Sequence, residues 1–140
     1  MPVSGIRVVT LLHKVVLSLA LAFLGLSLAV PGAAAVVRPS TGLSWLVAEG
    51  IDSRNHLRAL NAMMTALGLV ALWAGYALWA APGPAAARHV VLALGVVMAA
   101  LVAARLYSVA TDGVPGTATI LYLAVEAALA VLFLAWPPPA

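Results

Sequence analysis

The sequence predicts an all-α integral membrane protein: a bundle of four transmembrane helices, with a short interfacial segment between the first two, in one domain spanning 1–140. Three observations carry this reading. Hydrophobic residue types make up 65% of the chain and charged ones 8%, against about a quarter charged in a soluble domain. So few polar groups could not cover a water-facing surface, whereas hydrocarbon suits one of this composition. The apolar residues also fall into four runs close to the ~20 residues a spanning helix needs, each closed by glycine or proline, which punctuate helices strongly. Four spans with their loops use up the 140 residues, so any chemistry must sit in the helices or between them.

The first run covers about 8–30. Arg7, His13 and Lys14 precede its charge-free part, and Pro31-Gly32 is expected to end it. A basic start, an apolar run and Ala33-Ala34-Ala35 also resemble a cleavable secretory signal. The run is long for one, and its removal would leave three helices and an odd topology. The second run covers about 57–80 and stops before Ala81-Pro82-Gly83-Pro84. The third covers about 89–110 and is broken by Asp112-Gly113-Val114-Pro115-Gly116. The fourth covers about 117–136 and is closed by Pro137-Pro138-Pro139. The one long connection, 33–56, mixes apolar Leu43, Trp45, Leu46 and Val47 with charged Arg38, Glu49 and Asp52. It reads equally as a short helix at the membrane interface or as an ordinary ordered loop.

Four spans place both termini on one side. That side carries Arg7, Lys14 and Arg88 and no acidic residue, while the other carries Arg38, Arg54 and Arg58, with Arg105 near that end of the third run. Basic counts alone do not set the orientation. The acids Glu49, Asp52 and Asp112 all fall on the second side, so its arginines have partners. The unpartnered cations favour a cell-membrane protein with both termini cytoplasmic. Trp79 and Trp136 would then sit at the inner interface and Trp45 at the outer one.

Several function classes drop out. With no cysteine, thiol catalysis, disulfides and thiolate metal sites are excluded. His13, His56 and His89 stand near three different helix starts, which predicts no metal site. No nucleotide-binding glycine loop occurs, no ligand set for haem or iron–sulfur is present, and no cofactor is expected. A net charge of +3 suits anionic headgroups and is too small and scattered for nucleic acid.

The informative residues are polar ones inside the apolar runs. Glu126 falls about ten residues into the fourth run, where a charge costs roughly 2.5–3.5 kcal/mol on insertion scales. It must face protein. Thr119 and Tyr122 lie seven and four residues earlier, on the same helix face. Arg105 lies in the third run with Ser108 and Asp112 three and seven residues on, and must pair inward or snorkel outward. The second run opens with Arg54-Asn55-His56-Leu57-Arg58 and continues to Asn61 and Thr65. Arg54, Arg58, Asn61 and Thr65 share one face, with Asn55 beside it. Turned inward, the three stripes would set Arg58 and Arg105 against Glu126 and Asp112, with Asn55, Asn61 and Tyr122 as hydrogen-bonding neighbours. The alternative is that such pairs and amides simply lock helices together.

Asn55-x-x-Arg58 opening one helix, Arg105-x-x-Ser108-x-x-x-Asp112-Gly113-x-Pro115 closing another and Glu126 in the last resemble a bacterial family of small four-helix membrane proteins. That family is known only as a domain of unknown function and is distantly similar to the DoxX-like membrane proteins. The resemblance spans most of the chain and implies the four-helix bundle. It supplies no activity.

The leading functional expectation is a pocket for a lipophilic small molecule with acid–base chemistry. Glu126 and Asp112, in unlike surroundings, would suit the giving and taking of a proton, and Arg105 with Arg58 would steady a developing oxyanion. Asn55, Asn61 and Tyr122 would position the substrate. Isomerisation, cyclisation or water addition to an epoxide need no more than this. The alternatives are a lipid- or quinone-binding or accessory subunit of a membrane complex and, third, a small transporter, for which four helices are few unless the chain forms a homo-oligomer.

Overall fold

The computed structural model describes residues 3–38, 50–80 and 83–140, with side chains from residue 10 onward. It is all-α: α1 is Val3–Val37, α2 Gly50–Ala77, α3 Pro84–Asp112 and α4 Thr117–Ala135. All four are long and apolar enough to cross a membrane, and the chain is a multi-pass membrane protein. At 1.5 Å per residue, the 19 residues of α4 span about 28 Å, close to the ~30 Å of hydrocarbon. The 35 residues of α1 make about 52 Å and overhang it.

The helices extend past the apolar runs at five of their eight ends, stop short at two, and coincide at one, the start of α4. One expectation is overturned: Pro31 and Gly32 do not end α1, which runs through them to Val37. Proline removes one backbone donor, but uncoiling the chain near hydrocarbon would strand many backbone groups, so the helix is retained. Gly32 is a packing residue here. A Cβ on it would meet Thr65 Oγ1 at 2.7 Å and the Asn61 carbonyl oxygen at 2.9 Å. Of the connection expected at 33–56, its first residues complete α1 and residues 50–56 open α2. The remaining interfacial segment, with Leu43, Trp45 and Glu49, lies outside the described residues.

The chain divides into two compact units, Ser18–Tyr76 and Met1–Leu17 with Ala77–Ala140. In Ser18–Tyr76, α1 and α2 meet backbone to backbone. A Cβ on Gly68 would lie 2.5 Å from the Ala29 nitrogen and 2.6 Å from the Gly25 carbonyl oxygen. Only glycine permits that approach, which is how helices gain van der Waals contact where lipid removes the hydrophobic drive. Leu21, Leu24, Ala29 and Ala35 on α1, and Ala71 and Ala74 on α2, are buried, with Leu21 and Leu24, and Ala71 and Ala74, at the three-residue spacing of a helix face.

In the other unit α3 and α4 form a helical hairpin. Gly83 precedes Pro84 at the start of α3, the position where proline's missing N–H costs nothing. Gly113, at φ +100°, ends α3 in a conformation other residues rarely adopt. Ala87, Val91, Leu94 and Met98 of α3 and Leu129 and Phe133 of α4 supply the buried side chains. The start of α1 joins this unit: the His13 ring stacks on Trp136 with centroids 4.2 Å apart.

Candidate functional site

The loop 113–116 is four residues long, so residues equally far from it on α3 and α4 come level. Arg105 stands seven residues before the end of α3, and Glu126 is the tenth residue of α4. They meet as a two-pronged ion pair: Arg105 Nε donates to Glu126 Oε2 at 2.5 Å and Nη2 to Oε1 at 2.8 Å. The planar guanidinium matches both carboxylate oxygens at once, the geometry that makes such pairs strong and directional. The Glu126 side chain is 14% exposed and that of Arg105 34%. The acid is thus enclosed, while the arginine opens towards a cleft.

That cleft, about 80 Å³, is lined by Arg105, Ser108, Val109, Pro115, Thr119 and Leu123. Its polar groups are one guanidinium and two hydroxyls, and its other walls are apolar. A wider apolar groove of about 420 Å³ runs along the same two helices, walled by Ala99, Val102, Ala127, Ala130 and Leu134. Small alanines on both helices leave this space where larger side chains would fill it.

The remaining sequence-derived candidates are placed as follows. Tyr122 is exposed, and the Arg105 guanidinium carbon lies 6.0 Å from its ring centroid, so the ring itself faces the cation. Asp112, at the exposed end of α3, accepts a hydrogen bond from Ser108 Oγ at 2.9 Å. In the other unit, Asn55 and Arg58 are exposed on the first turns of α2. Asn61 is 9% exposed, and its Nδ2 donates to the Leu57 carbonyl one turn back at 2.8 Å. Thr65 repeats this on the Asn61 carbonyl at 2.8 Å. Both polar groups are thereby satisfied inside their own helix, as hydrocarbon surroundings require.

Sequence reasoning did not find the apolar walls Val109, Pro115 and Leu123, nor the alanine-lined groove. The one available signal was the recurrence of alanine at 124, 127, 128 and 130 beside Glu126.

No curated protein and no solved structure matches the chain. A family model described as a domain of unknown function, DUF4345, matches residues 16–137, and the chain belongs to that family.

Proposed function

We propose that this membrane protein binds a lipophilic small molecule bearing one carbonyl-type oxygen and moves a proton on it, an isomerisation. Arg105 and Thr119 would receive the oxygen in the cleft, joined by Ser108 when its hydroxyl turns from Asp112, and the groove along the same helices would take the hydrocarbon part. Glu126, beside them, would take a proton from the carbon next to the carbonyl. Arg105 would hold the negative charge that develops on the oxygen. Returning the proton to a different carbon completes the cycle with no change of composition, so no cofactor or second substrate is needed. Asp112, exposed at the end of α3, would exchange protons with water. Cyclisation or epoxide opening would draw on the same groups. Both termini are assigned to the cytoplasm.

The observation that supports this most is the forked Arg105–Glu126 pair inside apolar spans, bordered by a cleft that holds two hydroxyls. The test uses the purified chain in heavy water with a lipid extract of its host. The expected result is a lipophilic compound that gains one deuterium on carbon with the wild type and none with Glu126→Gln. Equal labelling by both proteins would remove the proposal.

A second reading has its own observation. Both Glu126 oxygens are already held by Arg105, which also suits a site that only binds, or an accessory subunit. A compound or partner chain that co-purifies in a Glu126-dependent way, with no label gained, would select it.

A further inference from the structure

The second group of contacts in the hairpin unit lies at the opposite end of α3 and α4 from their connecting loop. Lys14 Nζ stands 5.7 Å from the ring centroid of Trp79. His13 Nε2 donates to the Trp136 carbonyl at 2.9 Å, with its ring stacked on that indole at 13° between planes. Arg88 Nη1 donates to the Pro138 carbonyl at 2.6 Å. His13 and Lys14 are neighbours in sequence, and Trp136 and Pro138 are two residues apart. These contacts therefore gather the start of α1, the turn after α2, the first turns of α3 and the chain after α4 into one place.

The composition of this end is one-sided. None of the four acidic residues falls in 10–17, 77–90 or 133–140, and among the described residues no acidic side chain pairs with Lys14 or Arg88. Prolines 137–139 have no N–H to bond one another, so their carbonyls are open to outside donors. Pro138 is fully buried, and the Arg88 guanidinium is fixed against it through one of five donors. Trp79 and Trp136 remain 54% and 40% exposed, the amphipathic rings that settle at headgroup level.

We propose that Lys14 and Arg88, framed by Trp79 and Trp136, form a binding site for the phosphate of an anionic phospholipid headgroup. Fixed cations between helix ends, with indoles beside them and no acidic side chain paired to them, fit a lipid phosphodiester in charge and in depth. The carbonyl clamp on Arg88 and the indole under Lys14 hold both cations before the lipid arrives, which lowers the ordering cost of binding. The site stands on residues that the Arg105–Glu126 chemistry does not use.

The test is native mass spectrometry of the full chain released from bicelles of equal phosphatidylglycerol and phosphatidylcholine with identical acyl chains. Wild type should retain the anionic lipid by at least about fivefold, the order of one basic residue at a membrane surface. Lys14→Met with Arg88→Gln should bring that ratio to about one, whereas Arg54→Gln with Arg58→Gln on α2 should leave it unchanged. Equal retention by wild type, a ratio that survives Lys14→Met with Arg88→Gln, or equal loss in the α2 variant would each overturn the proposal. Should the first variant lose helicity, two measurements still decide. The charge-keeping pair Lys14→Arg with Arg88→Lys must hold the preference. The wild-type preference must also fall as sodium chloride rises to about 0.5 M, and a ratio flat in salt would overturn the site.

Discussion

The two compact units solve the problem of joining helices in lipid by opposite means. In Ser18–Tyr76 the partners are backbone: Gly25, Gly32 and Gly68 let α1 and α2 approach until a single Cβ would collide. The polar residues there, Asn61 and Thr65, turn back on their own helix. In the α3–α4 hairpin one close approach, at Gly95 against Leu134 and Phe133, gives way to a gap bridged by long charged side chains. One design leaves no room between helices. The other leaves a cleft with a cation at its edge, which is why the proposed chemistry is put in the hairpin.

The comparison can be broken first at Gly68. Its would-be neighbours are two backbone atoms and the Ala29 Cβ, none of which can swing aside, so Gly68→Leu should cost upwards of about 3 kcal/mol. In a detergent unfolding titration followed by circular dichroism, it should lose the folded baseline. Tolerance of leucine would mean that the close packing of Ser18–Tyr76 is not what secures it.

A smaller loss, about 2 kcal/mol, is expected for Glu126→Leu, which leaves a guanidinium without its acceptor. Adding Arg105→Leu should restore most of it, since a helix pair of apolar residues needs no ion pair. A double-mutant cycle that closes with no coupling would show that the fork does not join α3 to α4.

Removing the amide in Asn61→Leu should cost at most about 1 kcal/mol, because its partner lies in the same helix. The midpoint of thermal unfolding in nanodiscs would record that. The smallest effect belongs to Ser108→Ala. It should leave stability within about 0.5 kcal/mol, as exposed substitutions generally do. It should nonetheless weaken retention of whatever occupies the cleft, and an unchanged occupancy would remove Ser108 from the site.

The four helices were legible in the sequence because charge is excluded from hydrocarbon whatever the packing. Their ends were less so. Pro31 and Gly32 carry the same local signal as a terminator, yet a partner helix at Asn61 and Thr65 makes the glycine useful in mid-helix. Glu126 and Arg105 could be singled out by the cost of burying them, and a four-residue loop makes their meeting a matter of counting. The cleft could not be read, since it depends on where Val109, Pro115 and Leu123 leave space. Nor could the gathering of His13, Lys14 and Arg88, which are up to 75 residues apart in the chain and meet only through tertiary structure.

The brevity of α4 has a consequence for where the protein can work. A helix with about 28 Å of rise has little to spare by tilting in a thick, sterol-rich bilayer, whereas α1 can lean to fit almost any. The last span therefore acts as a gauge: thin membranes seat Glu126 at mid-depth, and thicker ones must pinch inward around it. Thermal stability measured across lipids of increasing acyl length would trace that fit.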